Sequence, residues 1–139
     1  VRLLHQGWGM PLNSERRLLR IRRGVITLIR EVELQCDGVP WVFARTLIPA
    51  TSLQRSVRRL IQLGERPLGA VLFSDPKVHR GLTQFARLQA RHHLFQAACD
   101  HVGELPETLW GRRTLFTLSS RPLLVNEIFL PDIPLRRGL

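Results

Sequence analysis

Strands paired through tight hairpins, with short helices between them, are the fold class this sequence predicts, and three stretches carry the prediction. In the first, Val25 to Cys36 and Trp41 to Pro49 are apolar, β-branched and aromatic runs separated by Asp37-Gly38, a pair that supplies the positive φ of a tight strand connection. Near the C-terminus, Trp110 to Leu118 and Leu123 to Pro131 repeat the pattern around Ser119-Ser120-Arg121-Pro122. Between the hairpins, Leu53, Val57, Leu60 and Ile61 recur at i, i+4, i+7 and i+8, with Gly64 placed to cap a helix.

The remaining elements follow in order. Val1 to Trp8 reads as a strand, broken by Gly7 and Gly9 and closed by Pro11; Asn13 or Ser14 then caps a short helix through Leu19, which Arg23-Gly24 ends. In the first hairpin strand, Ile26, Leu28, Arg30, Val32, Leu34 and Cys36 are in phase, while Glu31, Glu33 and Gln35 share the other face with Ile29. Arg30 therefore points with the apolar set. A guanidinium there is costly unless an anion meets it, because it cannot escape its charge by losing a proton. Two readings stand: a pair with a carboxylate of this chain, or a socket for a ligand carboxylate. Arg45, in phase with Trp41, Phe43 and Leu47, repeats the pattern nearer a strand end, where snorkelling to water is expected. Pro67-Leu68-Gly69 turns the chain before the apolar run Ala70 to Phe73, Leu82 to Leu88 reads as a strand, and Leu94 to Val102 reads as a helix ended by Gly103.

The last strand is apolar on both faces, with Leu123, Val125, Glu127 and Phe129 on one and Leu124, Asn126, Ile128 and Leu130 on the other. That is the pattern of a central strand. Glu127 is then buried on either face and needs a positive partner or a proton. Arg30 and Glu127 either satisfy each other or line one pocket and hold opposite ends of a polar ligand.

Composition excludes several function classes. A chain of 139 residues with 44% hydrophobic content makes one domain with a sizeable core. No run approaches the roughly 20 apolar residues of a membrane span, and no signal-peptide pattern leads the first strand, so a soluble cytoplasmic protein is expected. The opening VRLL, without an initiating Met, suggests that the chain begins inside a longer protein. Cys36 and Cys99 have neither disulfide-framework nor zinc-ligand spacing and read as small buried hydrophobes. His92, His93 and His101 lack a carboxylate that would complete a metal set, and there is no GxSxG elbow and no phosphate-cradling glycine loop. No metal, nucleotide or other cofactor is expected. The net charge of +10 raises nucleic acid as a partner, but the arginines are scattered and there is no tyrosine for base stacking. The field suits a small polyanionic substrate instead.

Four blocks in order, LIREVELQCDGVPWVFARTLIP, RPLGAVLF, LWGRRTLF and PLLVNEIFLP, resemble the chorismate pyruvate-lyase family across nearly the whole chain. The resemblance implies an α+β fold, a single antiparallel sheet of about six strands backed by helices, similar to UTRA-type effector-binding domains of transcription regulators. It also implies a cofactor-free lyase that converts chorismate to 4-hydroxybenzoate and pyruvate, the first step toward ubiquinone; the sequence does not give the oligomeric state, and a monomer is the expectation. By the same resemblance Arg30 binds the ring carboxylate, the backbone N–H of Leu68 joins that carboxylate site, and Glu127 meets the ring hydroxyl. Family members carry an upstream helical segment that closes over the ligand, which nothing before Val1 supplies; Met10 follows the first strand and does not take that place. The stretch from Leu82 to Leu109 is longer than in the shorter members. A non-catalytic small-molecule sensor of the UTRA type is the alternative the fold leaves open.

Overall fold

A computed structural model describes residues 1–52, 76–100 and 105–133. In chain order they form β1 (Arg2–Gly9), α1 (Asn13–Leu19), β2 (Thr27–Cys36), β3 (Val39–Pro49), a 3-10 turn (Ala50–Ser52), β4 (Val78–Leu88), α2 (His93–Ala98), β5 (Leu109–Leu118) and β6 (Arg121–Phe129). The six strands make one sheet in the order β1-β2-β3-β6-β5-β4, antiparallel at every junction. This is the expected α+β class. No helix among the described residues is long and apolar enough to cross a membrane. The helix expected from Leu53, its Gly64 cap, the Pro67-Leu68-Gly69 turn, the Ala70–Phe73 run and the end of the helix expected to reach Gly103 lie outside the described residues.

Both hairpins form, and their turns differ in how legible they are. Asp37 and Gly38 take φ of 52° and 79°, the left-handed pair that matches the twist of the strands it joins. Ser119 and Ser120 take φ of 52° and 65°, so the second connection is two residues long and β6 already begins at Arg121. Pro122 fits inside that strand because the β3–β6 pairing ends at Leu47↔Leu124, before a missing N–H on that side would matter. Its carbonyl accepts a hydrogen bond of 2.9 Å from Ser52 Oγ, which anchors the 3-10 turn.

Strand alternation and register divide the side chains into two faces. On the first face one row runs Arg30, Thr46, Val125 and Thr114, and the next runs Val32, Ala44, Glu127 and Arg112. On the second face Ile29, Leu47, Leu124 and Leu115 form one row, and Glu31, Arg45, Asn126, Arg113 and Gln84 form the next. Both helices pack on the second face. Leu19 of α1 buries against Ile29, Leu47 and Leu124, and Leu94, Phe95 and Ala98 of α2 bury against Phe43, Ile128 and Leu130. The apolar residues of the first face, including Leu28, Val32, Ile48 and Leu123, are buried too, so the sheet is covered on both sides, as the pattern of β6 predicts. Cys99 is buried, whereas Cys36, at the end of β2, is only partly so.

Gly38 has the sharper conformational requirement of the two hairpin glycine and aspartate positions, since at φ 79° a side chain meets its own backbone. Gly38→Ala should lower unfolding free energy by about 1–2 kcal/mol in urea titration, with Gly38→Asn closer to the parent. Equal losses for Ala and Asn would show that the left-handed turn does not set the cost.

Candidate functional site

Arg30 and Glu127 fall on the same face of the sheet, in adjacent rows and on strands separated by β3. Two strand spacings across and one side-chain repeat along put their Cα atoms roughly 12 Å apart. Arg30 is 3% exposed, and burial presses its pKa below the ordinary guanidinium value. Thr46 and Thr114, in the same row, are buried polar neighbours on that face.

Glu127 takes its positive partner from β5 rather than from β2. Arg112, directly opposite in the register, donates from Nε to Oε1 of Glu127 at 2.9 Å, and its Nη2 forms an ion pair with the same oxygen at 2.8 Å. The carboxylate is only partly buried, with 23% of the side chain exposed, so the expectation of full burial is corrected. Oε2 accepts no hydrogen bond from any described residue. The face therefore offers a buried guanidinium on one side and, diagonally across, a fixed carboxylate with one oxygen open to a hydroxyl. Leu68, the third residue expected here, lies outside the described residues.

The opposite face holds a polar network of different character. Glu15 of α1 is completely buried. Its two oxygens take a fork from Arg45, Nε to Oε2 and Nη2 to Oε1, each at 3.0 Å. Oε1 also accepts the N–H of Leu12 at 2.8 Å, and Oε2 accepts Asn126 Nδ2 at 2.9 Å. Arg45 reaches Glu31 Oε2 at 3.3 Å through Nη1. Burial works against the Arg45 charge, but the hydrogen bonds and charges of Glu15 and Glu31 outweigh it and raise its pKa. Arg45 thus does not snorkel to water; it is sandwiched between a helix and the sheet. Glu15 also corrects the start of α1, since Leu12 is the N-cap and Glu15 supplies the capping oxygen that Asn13 or Ser14 was expected to give. Asn126 passes the order on, accepting from Arg113 Nε at 2.6 Å.

Sequence periodicity places Arg30 and Glu127 but misses Arg112, Glu15 and Asn126. Arg112 could have been found from register, as the residue opposite Glu127 across the two-residue turn. Glu15 could not, because seven helical residues show no period long enough to fix which side faces the sheet. Among the described residues no group of three His, Cys, Asp or Glu side chains is placed to hold a metal ion.

A single antiparallel sheet with the described helices on one face, and a buried cation and a partly exposed carboxylate on the other, defines an α+β domain. Solved structures share this fold: the ligand-binding domain of a putative GntR-family transcriptional regulator from Bordetella bronchiseptica (TM-score 0.66, 18% identity, 99% of this chain and 86% of that one), and the trehalose repressor effector-binding domain from B. subtilis (TM-score 0.62, 10% identity, 99% and 98%). At those identities the likeness is one of fold. Sequence relatives are more specific. Residues 1–138 match the chorismate lyase family. The probable chorismate pyruvate-lyase of Azoarcus sp. is 45% identical over 137 residues, covering 96% of this chain and 72% of the relative, and that of Methylococcus capsulatus is 39% identical over 96% of this chain and 81% of the relative. The chain belongs to the chorismate lyase family.

The Glu15–Arg45 pair ties α1 to the sheet, and neutralising one partner leaves the other charge buried. Glu15→Gln should cost roughly 3–5 kcal/mol in denaturant titration, while the double replacement Glu15→Leu with Arg45→Met should recover much of it. A single-variant loss below about 1 kcal/mol would make the pair no stronger than a surface contact.

Proposed function

We propose that this chain removes pyruvate from chorismate to leave 4-hydroxybenzoate, using Arg30, Glu127 and the backbone of Leu68. The observation that carries the proposal is the placement of Arg30 and Glu127 on one sheet face, diagonally separated by a strand. Family membership and relatives named as probable chorismate pyruvate-lyases support the substrate.

The reaction asks for positioning rather than for a cofactor. The ring–oxygen bond of the enolpyruvyl ether breaks, and its oxygen leaves as the carbonyl of pyruvate. The hydrogen on the ring carbon bearing the hydroxyl moves to the methylene carbon, which becomes the methyl group of pyruvate, and the ring becomes aromatic. Atoms and electrons balance within the substrate, so the protein's task is to hold the side chain in its reactive conformation and keep water out. Arg30 anchors the ring carboxylate by a bidentate charge-assisted pair, which a buried, desolvated guanidinium makes stronger than it would be in water. Leu68 adds a backbone N–H to the same carboxylate. At the far end of the ring, Oε2 of Glu127 accepts the hydroxyl proton as a hydrogen bond while Arg112 holds Oε1. Glu127 then orients the ring rather than moving a proton.

Turnover is read by adding chorismate and measuring pyruvate and 4-hydroxybenzoate together. Arg30→Ala should abolish useful activity and Arg30→Lys should lose most of it, because a point charge does not reproduce the fork; Arg23→Ala, at an exposed position, is the control. Comparable losses at Arg23 would replace a specific socket by general positive charge. Absence of pyruvate from the parent protein would overturn the lyase reading and leave a ligand-binding domain.

Glu127→Gln preserves the shape and an acceptor for the hydroxyl, so the orienting role predicts a rate within about tenfold of the parent. A loss in the range of about 10²–10⁴-fold would assign Glu127 a proton-transfer role instead. Pre-steady-state turnover with substrate saturating separates this from weakened binding.

A further inference from the structure

On the face of the sheet opposite Arg30 and Glu127 lies a cavity of about 810 Å³, bounded by the start of α1, the β4–β5–β6 strands and α2. That volume is within the roughly 300–1,000 Å³ of small-molecule sites. Its walls are mixed in one particular sense. Leu12, Leu94 and Ile128 make them apolar, while Arg113, Arg91 and His92 bring cationic and donor groups. No Asp or Glu lines the cavity among the described residues.

Arg113 is the group that asks for a ligand. Its Nε is fixed on Asn126 Oδ1 at 2.6 Å, and Asn126 is held in turn by Glu15 at 2.9 Å. Both Glu15 oxygens are already taken up by Arg45, so Arg113 has no carboxylate of its own among the described residues. A partly desolvated guanidinium that cannot shed its proton is costly without a counter-anion. Burial works against its charge, with the Glu15 charge opposing and the Arg45 charge adding to that effect. His92 also lines the cavity, and its Nδ1 accepts the N–H of Gln89 at 2.8 Å, which leaves the ring proton on Nε2 as a donor.

We propose that this cavity is a second ligand site, taking a small organic monocarboxylate whose apolar body lies against Leu12, Leu94 and Ile128 and whose carboxylate pairs with Arg113. The apolar walls favour such a ligand over inorganic phosphate, and the single rigid fork matches a carboxylate.

Hexanoate and benzoate are the probes, with hexylamine as the cationic counterpart, each titrated by saturation-transfer NMR and calorimetry into the parent and into Arg30→Ala. Hexanoate should bind the two proteins alike, benzoate should keep one site in Arg30→Ala while the parent shows a second that depends on Arg30, and hexylamine should not bind. Gln84 is exposed and lies opposite Arg113 in the register, so Gln84→Glu sets a competing carboxylate beside the guanidinium without touching the core. In the Arg30→Ala background it should weaken both carboxylates by at least about tenfold, and Arg113→Gln should do the same where it folds. Hexanoate binding that is unchanged in Gln84→Glu would overturn the proposal, as would equal binding of hexylamine or no binding to the parent at millimolar concentration. Loss in Arg30→Ala with retention in Gln84→Glu would place the probe on the lyase face instead.

Discussion

The arrangement depends on one completely buried carboxylate. Glu15 accepts the fork of Arg45, the amide of Asn126 and the backbone of Leu12, and so links the first helix to the two central strands. A carboxylate with no access to water is tolerated only when its lone pairs are matched, and here four donors converge on two oxygens. The consequence is directional. α1 has seven residues, too few to hold itself together in isolation, and its position against β6 is specified by this contact together with Leu19. Once Asn126 is oriented by Glu15, its carbonyl oxygen can face only Arg113.

The same logic of matched charge operates on the opposite face, from the neighbouring residues of the same two strands. Arg112 and Arg113 are adjacent in β5, and strand alternation sends them to opposite sides of the sheet. Each meets the residue across from it in β6: Arg112 meets Glu127, and Arg113 meets Asn126. A one-residue slip in the β5–β6 register would bring Arg113 opposite Glu127 and turn the side chains of β5 to the other face, since β6 is also held by β3. The two-residue Ser119-Ser120 turn fixes that register, so the backbone conformation of two residues sets which arginine meets which residue of β6.

Much of this was legible before any coordinates. Period-two alternation identified both hairpins, assigned Arg30 and Glu127 to interior-facing positions, and marked β6 as a strand covered on both sides. What escaped was the identity of partners. Arg45 carried the same phase signal as Arg30, yet its nearness to a strand end suggested water, whereas a helix residue thirty positions earlier supplies its carboxylate. Periodicity reports which way a side chain points and not what stands opposite it, and for short helices it does not even report direction. The Ser-Ser turn was hidden for a related reason. Serine seldom takes positive φ, so the sequence offered a longer connection and delayed the start of β6.

The kinship in fold with effector-binding domains of transcription regulators follows from what the chemistry requires. A reaction whose bond changes are internal to the substrate needs a site that binds, orients and excludes water, which is also what a ligand sensor needs. The difference between them then rests on how rigidly the ligand is held along its reactive axis. A sensor gains nothing from fixing both ends of a ring, because affinity can be drawn from any contact. On the proposed reading the two ends would be addressed by groups that are themselves held: Arg30 is enclosed among buried residues on the first face, and Glu127 is pinned through one oxygen by Arg112. Pinning one oxygen costs ligand affinity nothing and restricts the other oxygen to a single direction, so the Arg112–Glu127 contact is the feature of this face that binding alone would not have required.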